Sequence, residues 1–285
     1  MVALRAVVDA LELRYPPASA QSWDQVGLVS GDPEQEVRRV LLAVDPTLEV
    51  ISYAVREGAD LLLTHHPLLL RGVHTVAATT AKGTAIRTLI EGRVALYVAH
   101  TNADVADGGV NDALAAALEL RGVGPLLEEE GQPMGRVGDL PAPVRLRAFA
   151  ERLAGVLPEA AGGIRVSGDP DATVRRVAVA GGAGDTFFDA ARAGGADVYV
   201  TADLRHHPVL EDRETSRGGP PYVIDAGHWA TESLWLAAAG RRLVDDVATS
   251  RPGADRLEAR VCPIRTDPWS FVVGVTTPSS SEGAQ

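Results

Sequence analysis

The sequence of 285 residues predicts an α/β fold built from two duplicated α/β lobes, with the functional site in the crevice between them. Three observations carry that expectation. An internal repeat divides the chain, apolar strands without polar alternation are separated by helical stretches, and the candidate ligands are shared between the two copies.

The repeat comes first because it governs how everything else is read. Residues 29–64 begin VSGDPEQEVRRVLLAV and end GADLLLT, while residues 166–201 begin VSGDPDATVRRVAVAG and end GADVYVT. At an offset of 137, 15 of these 36 positions are identical without a gap, where composition alone gives roughly three in a chain rich in Ala, Val and Gly. The similarity continues outward. VALRAVVDALELRYP (2–16) pairs with VRLRAFAERLAGVLP (144–158), with six identities in 15 positions. VALYVAH (94–100) corresponds to YVIDAGH (222–228) at an offset of 128, which sets His100 on His228 and Asp104 on Glu232.

Each copy opens on an amphipathic helix, its apolar residues (Val7, Leu11 and Leu13 in the first) at three-to-four spacing. A strand follows (26–30; 163–167), then a turn at Gly-Asp-Pro and a second strand (37–44; 174–180). A helix (46–57; 184–194) leads through Gly-Ala-Asp into a short apolar strand (61–64; 197–201). After a crossover of variable length come the last strand (94–99; 222–226) and a closing helix (109–119; 229–240). Uniformly apolar strands imply sheets covered on both faces. The expected boundaries are a first lobe at 1–121, a Gly-, Pro- and Glu-rich joint at 122–143, a second lobe at 144–275 and a disordered tail at 276–285, where the residues are small and polar. Two separate tandem domains are the alternative; the division of ligands between the copies favours one body.

Composition limits the chemistry. The only cysteine, Cys262, cannot form an internal disulfide, a thiolate zinc site or an iron–sulfur cluster. Any metal must therefore sit on nitrogen and oxygen. The 27 basic residues are 26 arginines and Lys82, which lies in TTAKGTA rather than behind a Gly-x4-Gly run, so a phosphate-binding P-loop is absent. A formal net charge of −11 argues against a nucleic-acid partner. No apolar run approaches the roughly 20 residues of a bilayer span, and the N-terminal helix carries charges through its apolar stretch, unlike a signal peptide. A cytoplasmic protein is expected.

Histidine is what remains to explain. In LLLTHHPLLL, His65 and His66 follow a buried strand. Neighbours in a continuing strand point to opposite faces, but with Pro67 next the chain is leaving the strand, and both rings can turn into one cavity. A polar strand end with each ring bonded to a backbone carbonyl is the alternative. In HTNADVADGG, His100 and Asp104 stand four residues apart after another strand, and Asp104 has an alternative role as a helix cap. In DAGHWATESLW, a helix beginning near His228 places His228 and Glu232 one turn apart on one face, a spacing that metal sites use and that a salt-bridged helix face also shows. In TADLRHHPVLEDRE, the repeat sets Ala202 and Asp203 opposite His65 and His66, so His206 and His207 lie four residues beyond and read as lining or surface residues rather than ligands. Thr64, Val98 and Ala226 all sit at carboxyl ends of expected strands, where open α/β sheets place their ligands. Three imidazoles and two carboxylates without a thiolate suit Zn²⁺, Fe²⁺, Mn²⁺ or Co²⁺. Five side chains exceed what one catalytic ion with an open position needs, and match two ions sharing a carboxylate and a water.

These motifs resemble those of the Nif3-like (Ngg-one-interacting-factor-three-like) family, also known as GTP cyclohydrolase 1 type 2 homologs. The resemblance rests on SWDQVGLVSGDP (22–33), DPTLEVISYA (45–54), GADLLLTHHPL (58–68), HTNADVADGGVNDALA (100–115), GADVYVTADLRHH (195–207) and IDAGHWATE (224–232). It implies two intertwined duplicated lobes forming a single Nif3-like domain, a dinuclear metal centre between them, and a ring-shaped homo-oligomer, commonly a hexamer. It places the ligands on His65, His66, Asp104, His228 and Glu232, with Glu232 shared by both ions and His100 beside the metals as a group that supports the ligands or transfers a proton; Asp24, His206 and His207 are the candidate substrate-binding residues. Gln25 stands where the family usually has Asn, and Ala202 where it usually has Gly; neither is among the implied ligands. The joint is too short for the domain that some relatives insert between the lobes. The implied activity is that of a metal-dependent hydrolase, with GTP as a candidate substrate. A non-catalytic protein that stores or delivers metal, or acts as a scaffold, is the alternative.

Overall fold

The two copies build two sheets with the same central strand order. In the computed structural model, which describes residues 2–252 and 257–274, the first copy runs β1 (Val2–Ala3), α1 (Leu4–Arg14), β2 (Gly27–Ser30), β3 (Glu36–Val37), β4 (Arg39–Ala43), α2 (Leu48–Arg56), β5 (Leu61–Thr64), α3 (Ala81–Glu91), β6 (Ala95–Val98), α4 (Thr101–Val105) and α5 (Val110–Ala117). β7 (Arg121–Glu129) and β8 (Gln132–Arg145) follow. The second copy runs α6 (Leu146–Val156), β9 (Arg165–Ser167), β10 (Thr173–Ala183), α7 (Phe188–Ala193), β11 (Val198–Ala202), α8 (His206–Thr215), β12 (Tyr222–Asp225), α9 (His228–Ser250) and β13 (Glu258–Val261). The tail expected to be disordered, 276–285, lies outside the described residues.

The first sheet has the order β13-β4-β5-β6-β2 and the second β7-β8-β10-β11-β12-β9. Within them β4-β5-β6-β2 and β10-β11-β12-β9 are equivalent: three parallel strands, then one antiparallel. The repeated Gly-Ala-Asp has a structural job in both copies. Gly58 and Gly195 take φ of +63° and +68° just past helices α2 and α7, a backbone conformation that other residues adopt at a cost. The Asp that follows then pins the neighbouring strand: Asp60 Oδ2 accepts from Arg38 N and Arg39 N, and Asp197 Oδ2 from Arg175 N and Arg176 N, all at 2.8 Å.

The stretch between the copies, 122–143, does more than join them. It forms most of the β7–β8 hairpin, and β8 pairs antiparallel with β10, so the second sheet gains two strands. Its Gly and Pro residues masked that pairing in the sequence. Buried Arg136 of β8 donates to the carbonyls of Val105 and Ala106 and pairs with Asp112, which ties the hairpin to the α4–α5 segment.

The lobes are intertwined through their closing helices. α9, from the second copy, lays Trp235, Ala239 and Leu243 against Leu42, Leu63 and Tyr97 of the first sheet. α5, from the first copy, packs Leu114 and Leu118 against Val177, Val198 and Ile224 of the second. The opposite faces are covered locally, by α2 and α3 on the first sheet and by α7 on the second. Each sheet is thus buried on both sides, which accounts for the runs LLLT and VYVT. Among the described residues no helix is long and apolar enough to cross a membrane.

Trp235 sits at the crossing. It is fully buried, donates from Nε1 to Tyr15 Oη at 3.1 Å, and packs edge-on to the His65 ring at 5.7 Å between centroids. Replacing it with Ala opens a cavity between the copies, and the expected loss is about 3–5 kcal/mol. Equilibrium denaturation with a shift in midpoint at unchanged slope measures it.

Candidate metal centre

Sheet geometry brings the histidines together at one end of the strands. After Thr64 the parallel ladder continues briefly, with His65 N donating to Ala43 O at 3.2 Å and His66 N to Val44 O at 2.8 Å. The chain then turns away at Pro67, and both rings occupy one cavity, 5.0 Å apart between centroids. His100 follows β6 and opens α4, which carries Asp104 one turn later. His228 is the first residue of α9, and Glu232 lies one turn on, with Nε2–Oε1 2.9 Å. One ligand atom each from His66, His228 and Glu232 falls within a mutual 4.8 Å, and the same holds for His65, His66 and His100.

The outer face of each ring fixes its tautomer. His65 Nδ1 bonds Ala99 O at 2.9 Å, a carbonyl that can only accept, so this nitrogen carries the proton. His66 Nδ1 meets Asp45 Oδ1 at 2.7 Å, His228 Nδ1 meets Asp203 Oδ2 at 2.8 Å, and His100 Nδ1 meets Asp24 Oδ1 at 2.9 Å. Each ring therefore turns its Nε2 inward, a lone pair when the ring is neutral and a donor when it is protonated. What it meets there is more acceptor: His66 Nε2 and His228 Nε2 lie 3.2 Å apart, and Glu232 lies 3.4 Å from His65 Nε2 and 3.1 Å from His66 Nε2. Asp104 Oδ1 is 3.7 Å from His65 Nε2, and both this oxygen and Glu232 Oε2 are buried without a hydrogen-bond partner. Without positive charge these acceptors would repel one another in a buried pocket, so the cluster takes up protons or a metal cation. The donor set, nitrogen and oxygen at fixed positions with carboxylate or carbonyl partners behind each imidazole, is one that could hold a metal ion.

The field in this pocket points the same way. Burial opposes a charge on His66, but Glu232 and Asp45 outweigh it and push the ring up to about 10. Burial likewise opposes His228, and Asp203 and Glu232 push it up to about 11. Burial would raise Glu232, yet His65 and His66 hold it well below the usual carboxylate range. The negative charge that draws these protons would also attract a metal cation, which would have to displace them to bind the rings.

Asp24, expected near a substrate, is engaged otherwise. Its Oδ1 takes His100 Nδ1 and Gln25 N, and its Oδ2 takes Thr101 N at 3.0 Å and Thr101 Oγ1 at 2.6 Å. Both oxygens are spent on holding His100 and the start of α4. Burial works against its charge, but the hydrogen bonds from His100 and Thr101 bring it down to about 2. Trp23 packs edge-on to His100 at 5.8 Å. Asp104 makes no helix-capping bond and faces His65 instead. His206 and His207 open α8, exposed and edge-on to one another at 5.1 Å between centroids. The cleft over the cluster is lined by Asp203 and Leu204 but by neither of these histidines, and His206 faces a neighbouring depression. The sequence pattern did not single out Asp45 and Asp203 as the carboxylates behind His66 and His228. The repeat held a signal for one of them, since Asp203 is the counterpart of His66 and inherits its direction into the crevice.

The counterpart of Asp45 is Gly182, and only glycine fits there. Its φ is +68°, and a Cβ would lie 2.4 Å from Glu232 Oε1 and 3.2 Å from His228 Nε2. Gly182→Ala is expected to cost about 1–2 kcal/mol from the backbone conformation alone. It should also displace the Glu232 carboxylate, so the variant stays folded by circular dichroism but holds less metal than the parent after identical loading, as elemental analysis reads.

Comparison with known proteins identifies the family. A Streptomyces coelicolor protein named GTP cyclohydrolase 1 type 2 homolog is 51% identical, the alignment covering 100% of this chain and 99% of that one. A Mycobacterium tuberculosis protein of the same name is 35% identical, over 95% of this chain and 97% of its own length. The fold matches that of a Bacillus cereus protein related to NIF3 with a TM-score of 0.86 at 24% identity, covering 95% of this chain and 99% of that one. The profile of the Duf34/NIF3 (NGG1p interacting factor 3) family matches residues 2–268, and the chain belongs to that family.

Proposed function

We propose that this protein holds two divalent metal ions between its lobes, on His65, His66, Asp104, His228 and Glu232, and acts as a metal-dependent hydrolase. The observation that carries the reading is the convergence of three Nε2 lone pairs and two carboxylates, two of whose oxygens are buried without a donor. Zn²⁺, Fe²⁺, Mn²⁺ and Co²⁺ suit that donor set. Glu232 is the natural shared ligand, because Oε1 faces His65 and His228 while Oε2 faces His66. When bound, such a pair of ions lowers the pKa of water and polarises an oxygen of the substrate.

The chain's own residues do the rest. Asp45, Asp203 and the Ala99 carbonyl keep the three imidazoles turned inward. Asp24 holds the Nδ1 proton of His100, so His100 Nε2 faces the cluster as the group that takes up or returns a proton. Above the cluster opens a cleft of about 840 Å³, lined by Trp229, Trp269 and Phe271 with Arg165 and Asp225, a volume in the range of small-molecule sites. The relatives' name makes GTP the first substrate to try. The ring-shaped homo-oligomer, a hexamer, belongs to the same proposal, and sedimentation measures it.

Gently purified and reloaded protein is expected to carry two metal ions per chain by elemental analysis; a value well under two after reloading contradicts the dinuclear reading. Turnover is expected on GTP or on another member of a panel of nucleotides, phosphoesters and amides, and should vanish in His65→Ala and Glu232→Ala. Bound metal with no turnover on any of them identifies a storage, delivery or scaffold protein instead. Asp24→Asn should keep its metal and lose about a hundredfold in rate, the scale of one positioned proton-transfer group.

A further inference from the structure

The last described segment returns to the metal centre from the far end of the chain. β13 pairs parallel with β4, Val261 opposite Leu42, and Cys262 N extends the ladder to Leu42 O at 2.7 Å. Parallel strands share a direction, so the residues after β13 arrive at the same end of the sheet as those after β4. Cys262 is buried and Ile264 packs beside it, in the cluster that includes Leu41, Val50 and Leu62. Arg265 then reaches the second lobe, donating from Nη1 to Glu159 O at 3.3 Å. Pro268, Trp269 and Phe271 continue along the cleft. The segment is a strap across the mouth of the crevice, anchored in both lobes.

Thr266 lies in this strap, and its hydroxyl donates to Asp45 Oδ2. The other oxygen of that carboxylate, Oδ1, takes His66 Nδ1 at 2.7 Å. No other donor reaches this carboxylate among the described residues. A carboxylate turns about a broad torsion, so one hydrogen bond leaves its plane loosely set. Two donors on opposite oxygens fix the plane, and with it the direction in which His66 Nε2 points. We infer that Thr266 is a positioning residue for the metal centre: its hydroxyl locks Asp45, and through Asp45 the His66 ring, so that docking of the C-terminal strap and metal affinity are coupled. The inference rests on the reading of His66 as a metal ligand. Among the described residues Asp203, the carboxylate behind His228, takes no second donor, and it is more than half exposed.

The test uses full-length protein loaded with Zn²⁺ and dialysed against chelators of graded strength, with zinc per chain as the readout. Thr266→Val keeps the shape and removes the donor, whereas Thr266→Ser keeps the hydroxyl. The valine variant is expected to release Zn²⁺ at about tenfold weaker chelation, the lower end of what loss of an outer partner does to metal sites, and the serine variant to match the parent. In an Asp45→Asn background, Thr266→Val should have little further effect, because its influence runs through Asp45. This comparison separates positioning from a general loss of stability. A parent protein that holds no Zn²⁺ overturns the metal reading and this inference with it. A parent that holds Zn²⁺ overturns the inference alone under any of three results: a valine variant that holds it equally well, valine and serine variants that weaken alike, or a full additional loss in the Asp45→Asn background.

Discussion

The carboxylate of Glu232 is the constraint around which the crevice is organised. It is 3% exposed, and three imidazole nitrogens, each from a different ring, approach it within 3.4 Å. Every one of those rings has its other nitrogen committed to an oxygen outside the cluster. A buried carboxylate surrounded by lone pairs is costly to fold unless positive charge accompanies it. The strands ending at Thr64 and Val98 and the helix starting at His228 meet where that charge is needed. Even the backbone yields to it, since Gly182 stands where any side chain would strike the carboxylate.

Duplication has produced an asymmetric site from symmetric parts. His100 with Asp104 and His228 with Glu232 are counterparts, each pair following the last of the three equivalent parallel strands, β6 in one sheet and β12 in the other. The symmetry breaks one strand earlier. The first copy ends β5 with His65 and His66, while the second has Ala202 and Asp203, so one lobe supplies two more imidazoles and the other an outer carboxylate for His228. Asp45 and Gly182 differ in the same way: one supports His66, the other makes room for Glu232. The exchange of closing helices makes these divided contributions precise, because α9 carries His228 and Glu232 while its apolar face belongs to the core of the first sheet. Movement of one lobe against the other would have to break that core.

The carboxylates behind the imidazoles show how ring orientation is achieved from outside the cluster. Asp24, Asp45 and Asp203 each hold one ring from outside, with different degrees of restraint. Asp24 is locked by Thr101 and the Gln25 backbone. Asp45 is held by the returning C-terminal strap. Asp203 sits at a positive φ of +55° and is the most exposed of the three. Such outer partners set ring direction and ligand basicity together.

Much of this was legible in the sequence because it is local or periodic. The offset of 137 declared the duplication, unbroken apolar runs such as LLLT declared strands covered on both faces, and four-residue spacing placed His228 and Glu232 on one helix face. The scarcity of cysteine and the clustering of histidine at strand ends limited any metal to nitrogen and oxygen donors. What only the tertiary structure decided are the contacts between residues far apart in the chain. Asp24 reaches His100 across 76 residues, and Thr266 reaches Asp45 across 221. Neither spacing follows a period, so no pattern announces it. The β7–β8 hairpin was hidden for a related reason: its strands are specified by pairing with β10 rather than by their own Gly- and Pro-containing composition. Local physics chose the elements and most of the chemistry; the packing of one copy into the other decided which lone pairs face each other.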